Sequence, residues 1–115
     1  MIMIEAVIKP NRLDAVKTAL LEKGILGVTA VECKGFGKQR GHSERYRGPK
    51  LDAGFVPKVL LKICVKPEDK EAALKTILTV ARTGANGEIG DGKVFVYPIE
   101  RAVRIRTDET GEAAI

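Results

Sequence analysis

Apolar and polar positions alternate from the first residue. Ile2, Ile4, Ala6 and Ile8 fall on one side and Glu5 and Lys9 on the other, the pattern of a half-buried strand. Pro10 and Asn11 offer a stop and an N-cap, and Leu13, Val16 and Leu20 follow at helical spacing until Gly24. Val28 to Phe36 reads as a second strand, with β-branched residues at its start. Val59, Leu61, Ile63 and Val65 alternate with Lys58, Leu60, Lys62 and Cys64, a third strand. Pro67 suits a first helical turn, and Ala73, Leu74, Ile77, Leu78 and Ala81 supply one apolar face before Gly84. Val94 to Ile99 gives a fourth strand. Val103 and Ile105, alternating with Arg104 and Arg106, suggest a short fifth strand or an extended arm.

The halves echo each other. VIKP at 7–10 corresponds to CVKP at 64–67, and AVKTAL at 15–20 to ALKTIL at 73–78. Two split βαβ units combine as βαββαβ, so the expected fold class is α+β, a ferredoxin-like sandwich with both helices on one sheet face. The chain of 115 residues suits one domain. Between the middle strands, where a hairpin would need two to five residues, lies a polar, glycine-punctuated stretch at about 37–55. Loops of that length in compact domains usually carry function.

Charge sharpens this picture. The net charge is +5, and between Gly37 and Gly54 five cations (Lys38, Arg40, Arg45, Arg47, Lys50) face only Glu44 and Asp52. The basic character is therefore concentrated in the loop, not spread over a nucleic-acid-binding face. An RNA-binding ferredoxin-like domain would need stacking aromatics on its sheet, and Phe36, Phe95 and Tyr97 do not form such a set. No nucleic-acid partner is expected. Paired carboxylates, a Cys–His pair and a Ser–His–Asp set are missing near the glycine-rich segment, so no enzyme is expected either. Cys33, Cys64 and the single His42 lack metal-ligand spacing, and the cysteines are expected as small buried thiols in a reducing cytoplasm. Neither a membrane span nor a signal peptide is expected.

Two segments carry binding chemistry. GEIGDGK, Gly87 to Lys93, has three glycines that let backbone N–H groups converge, with Lys93 adding a point charge, as in polyphosphate cradles. A strand follows it instead of a helix, so it is not a Walker motif. In RIRT, alternation would place Arg104 and Arg106 on one face, able to grip phosphate oxygens together. Together they point to a nucleotide phosphate site.

With these blocks in place the chain resembles the PII nitrogen-regulatory signalling proteins, small trimeric sensors of ATP, ADP and 2-oxoglutarate. The resemblance runs through IKP, KGFGKQRGHSERYRG, PKV, ARTG, IGDGKVFV, RIRT and the closing AAI, essentially the whole chain. It implies a homotrimer with sheets facing inward and nucleotide in each cleft between neighbours. Gly90, Asp91, Gly92 and Lys93 match the family's phosphate-holding turn within a glycine-rich loop at about 82–93. Arg104 and Arg106, on a C-terminal arm at about 102–115, would reach across from the adjacent chain. Gly27, Val28 and Thr29 match the ribose and adenine wall; Gly35, Gly37, Lys38 and Cys64 would line the other side. Gln39 matches the residue that helps hold Mg2+ and 2-oxoglutarate, with Arg40, Gly41, Lys58 and Gly90 around the keto acid. A dianionic acid beside a triphosphate needs such a metal and a lysine to offset the charge.

The long stretch corresponds to the family's target-binding loop. Tyr46, Arg47 and Gly48 would engage the partner, and Arg47 matches the arginine that plugs ammonium channels. The implied function is regulation of nitrogen metabolism by blocking an ammonium transporter, from the cytoplasm and at the inner membrane when bound. The alternative is an ATP/ADP sensor acting on a nitrogen-assimilation enzyme or a nitrogenase control system. The family's modified tyrosine is Leu51 here, and a serine modified in some relatives is Pro49, so neither position can be uridylylated or phosphorylated. Lys38 replaces a more usual arginine, Lys62 a frequent glutamate, and ARTGANGEIGDGK is three residues longer than the common form.

Overall fold

The computed structural model describes residues 1–37 and 54–115. Four strands form one antiparallel sheet: β1 (Ile2–Ile8), β2 (Val28–Gly35), β3 (Val56–Val65) and β4 (Lys93–Pro98), in the order β2-β3-β1-β4. Helices α1 (Leu13–Glu22) and α2 (Lys70–Ala81) join β1 to β2 and β3 to β4. This is the βαββαβ order read from the sequence. Its two crossovers place the outer strands on either side of a central β3–β1 pair.

The register explains the alternation. Ile4 lies opposite Ile63, Ala6 opposite Leu61 and Ile8 opposite Val59, so one sheet face presents a continuous apolar row to the helices. Val16 and Leu20 of α1 and Ala73 and Ile77 of α2 complete that core. Burial of each large aliphatic side chain contributes about 1.5–3 kcal/mol. Arg12 ties the helices at one end, its guanidinium donating to the Val80 carbonyl at 2.7 and 2.9 Å.

Several local expectations change. No side-chain cap closes either helix start; Pro10 and Pro67 instead open one-turn 3-10 segments that lead into α1 and α2. Asn11 sits inside the first of these. On α2, Leu78 is exposed and Thr76 takes the buried place, its hydroxyl donating to the Ala72 carbonyl at 2.8 Å. Cys33 and Cys64 are free thiols but only half-buried, because both lie on the sheet face opposite α1 and α2. The C-terminal segment is the arm of the two alternatives: Val103 and Thr110 form a single bridge. Arg104 and Arg106 therefore do not alternate along a strand. Asp108 N–H donates to Arg104 O at 2.9 Å and Arg104 N–H to Glu109 O at 2.8 Å, closing a turn in which Asp108 adopts φ 62°.

At the base of the long loop, Phe36 and Phe55 meet with ring centroids 5.5 Å apart. Lys38, Gln39, Arg40, Gly41, Tyr46, Arg47, Gly48, Pro49 and Leu51, with the roles expected of them, lie outside the described residues.

Candidate functional site

The glycine-rich turn between α2 and β4 is built around one carboxylate. Asp91 Oδ2 accepts the Thr83 N–H at 3.0 Å and the Glu88 N–H at 2.9 Å, and its other oxygen accepts the Thr83 hydroxyl. Lys9, at the end of β1, places its ammonium 3.3 Å from Asp91, 3.0 Å from Glu88 and 2.9 Å from the Thr83 hydroxyl. Partial burial pushes the Asp91 carboxyl up, but the Thr83, Glu88 and Lys9 hydrogen bonds outweigh it and hold it well below the usual carboxylate range. Asp91 thus organises the turn. The same contacts raise Lys9 above the ordinary lysine value, the Glu88 hydrogen bond leading.

This arrangement has a consequence in acid. A carboxyl held low in the folded state stabilises the protein above its unfolded value near 3.9, and that contribution fades as pH falls below it. Asp91→Asn should therefore be less stable at pH 7, by on the order of 1–3 kcal/mol. Its denaturation curve should converge on the wild type as the pH is lowered below about 4. A gap that stays constant from pH 7 to pH 2 would mean that the carboxylate charge is not what holds the turn.

Gly90 and Gly92 adopt φ +100° and +101°, a region that side chains rarely occupy. Gly92 also lies against β1: a Cβ there would sit 1.6 Å from the Val7 carbonyl oxygen. The turn is thereby pressed onto the strand beside Lys93, which pairs with Val7. From below, Lys58 of β3 reaches it. Lys58 is only 6% exposed, and its ammonium donates to the Gly90 carbonyl, its one acceptor among the described residues. Burial, then the nearby Lys9 charge, lowers the Lys58 pKa from its ordinary value. Gly35 makes room for the lysine stem, since a Cβ there would meet Lys58 Cγ at 3.2 Å. Gly35, Lys58 and Gly90–Lys93 are brought together as one cationic cradle.

Gly27, Val28 and Thr29 lie elsewhere. They line a cavity of about 770 Å³ toward the opposite end of β3, together with Lys62, Cys64 and Ile115. Cys64 joins this wall and not the Gly35 side, because it is six residues along β3 from Lys58, about 20 Å at the strand rise. Lys62 faces Glu5 at 3.6 Å, and Glu5 also accepts the Tyr97 hydroxyl at 2.7 Å. The chain leaves β4 at Pro98, opposite Ile2, so the arm bearing Arg104 and Arg106 departs from the end of the sheet away from the glycine turn. Arg104 pairs with Glu109 at 2.8 Å. Among the described residues, one copy thus keeps the glycine-turn group apart from the Gly27–Thr29 wall.

Sequence reasoning missed Lys9, Thr83 and Glu88 as parts of the cradle. The only available signals were the KP that ends β1 and the ARTG that leaves α2.

Comparison with known proteins places these features in a family. The family model described as "Nitrogen regulatory protein P-II" matches residues 1–109. Over 112 residues, covering 97% of both chains, this chain is 51% identical to the nitrogen regulatory protein P-II of Azospirillum brasilense. It is 48% identical, over the same coverage, to nitrogen regulatory protein P-II 1 of Escherichia coli K12. Among solved structures, the Arabidopsis thaliana PII bound to citrate superposes with a TM-score of 0.80 at 40% identity, covering 99% of this chain and 91% of that one.

Proposed function

The chain belongs to the nitrogen regulatory protein P-II family, and from that premise we propose that it senses ATP or ADP together with 2-oxoglutarate. The observation that carries this reading is Lys58: a buried ammonium fixed on the carbonyl of a glycine turn, with donors left over among the described residues. The cradle fits a polyphosphate, because Lys58, Lys93 and Lys9 supply positive charge where positive-φ glycines keep the backbone bare. The cavity beside Gly27–Thr29 fits a base and ribose.

The separation of these groups supports a homotrimer with shared sites. A second copy would bring its Gly27–Thr29 wall and its Arg104 and Arg106 to the first copy's glycine turn. The sheet face opposite the helices supplies the surface: Val31, Phe95 and Tyr97 are exposed there, apolar groups that a neighbouring sheet would cover. No helix among the described residues is long and apolar enough to cross a membrane, which suits a partner that reaches a membrane only through another protein.

In this reading Gln39 would hold Mg2+ between the triphosphate and 2-oxoglutarate, the metal offsetting charge that would otherwise keep the two anions apart. Lys58 would take a carboxylate of the keto acid, with Arg40, Gly41 and Gly90 around it. The citrate-bound Arabidopsis relative supports carboxylate binding within this fold. The role is regulatory, in keeping with the relatives' names. Arg47, flanked by Tyr46 and Gly48, would enter the mouth of an ammonium transporter, three loops of a trimer acting together.

Calorimetry tests the ligand order. ATP should bind unaided, and 2-oxoglutarate only when Mg-ATP is present. Equal 2-oxoglutarate binding without nucleotide would overturn the shared-metal arrangement.

A further inference from the structure

The glycine turn carries its own anion. Glu88 Oε1 lies 3.0 Å from the Lys9 ammonium and 2.7 Å from the Thr83 hydroxyl, whose one proton it shares with Asp91, while the carboxylate remains largely open to solvent, its side chain 57% exposed. The loop is shaped around this group. Gly84 adopts φ +68°, and a Cβ there would come within 3.2 Å of Glu88 Oε2. The turn has ties that do not use the Glu88 side chain. Asp91 is bonded to the Glu88 backbone N–H, not to its side chain, and Lys9 keeps Asp91 and Thr83 as further partners.

We propose that the Glu88 carboxylate is a built-in competitor, neutralising Lys9 in the ligand-free protein until an incoming polyanion draws that ammonium away. The inference rests on the proposed nucleotide site, since it concerns anions arriving at the same turn. An exposed carboxylate–ammonium pair is weak, because water screens both charges. A polyphosphate carrying several charges displaces it readily, and a single weak anion does not. Glu88 therefore sets a charge threshold for occupancy, favouring highly charged ligands over the monovalent anions that surround the protein in solution. Asp91 cannot serve in this way, because backbone and hydroxyl donors hold it in place.

The test uses calorimetry on the full chain at low ionic strength, with inorganic tripolyphosphate and ATP as separate probes. Glu88→Gln preserves shape and removes the charge, and should bind both probes about fivefold more tightly. Lys9→Met should weaken binding, and the double variant Lys9→Met/Glu88→Gln should show little of the gain. Unchanged or weaker binding by Glu88→Gln overturns the proposal, as does the same gain with Lys9 absent. Failure of either probe to bind any of these proteins also overturns it. If tripolyphosphate binds the wild type as tightly as ATP does, the nucleotide reading fails instead, while the comparison among variants still decides the role of Glu88.

Discussion

Gly92→Ala should lose about 3–4 kcal/mol of stability, the sum of backbone strain at positive φ and disrupted strand pairing. The new methyl would lie 1.6 Å from the Val7 carbonyl oxygen and 2.8 Å from its carbon, both backbone atoms of the central strand β1. A flexible side chain could swing aside; this carbonyl cannot move without disturbing the ladder that pairs Val7 with Lys93 and Leu60. The melting temperature should fall by more than about 10 °C for a domain of this size. Gly24→Ala supplies the control. Gly24 has φ +80° but nothing within 4 Å of an added Cβ, so it carries strain without collision. Its loss should stay near 1 kcal/mol. If the two variants melt within about 2 °C of each other, contact with β1 is not what makes Gly92 necessary.

The strands were legible because period-two alternation and the sheet register have one cause: Ile4, Ala6 and Ile8 must face Ile63, Leu61 and Val59 across a single buried face. Helix α2 was legible in place but not in detail. Leu78 follows the apolar period yet lies toward solvent, while Thr76 is buried because its hydroxyl finds a carbonyl one turn back. The alternation in RIRT does not make a strand, since a pattern of four residues also fits a turn, and the bonds that close it come from Asp108 and Glu109 beyond the motif. Within the cradle, glycine spacing marked the turn but not its internal support. Lys9 is 79 residues from Glu88, and no periodic pattern reports a pair that meets only when β1 and the α2–β4 connection come together. Lys58 was marked by family resemblance alone. Alternation put it on the uncovered face, where a lysine is usually solvated, and only the structure shows the Gly90 carbonyl and the bare Gly35 that bury it.

Lys58→Met should weaken 2-oxoglutarate binding in the presence of Mg-ATP by roughly 30-fold or more while changing ATP affinity by no more than about threefold. Methionine retains the aliphatic stem that packs over Gly35, so the strand pairing and the loop base should survive. What it removes is a buried ammonium. An anion bound there gains a charge-assisted hydrogen bond in a poorly solvated place, and truncating one partner of such a pair typically costs about 2–5 kcal/mol. That is a loss of roughly 30-fold to several thousandfold. ATP has other cations to use, Lys93 and Lys9 among them, so its binding should depend far less on this one. The Gly90 carbonyl also loses its donor, and hydrogen exchange across Gly84–Lys93 should quicken even without ligand. Because ligand coupling is reciprocal, 2-oxoglutarate should tighten ATP binding in the wild type and leave the variant unaffected. Near-wild-type 2-oxoglutarate affinity in Lys58→Met, with the faster exchange present, would leave Lys58 as a support for the turn and place the keto acid on other cations.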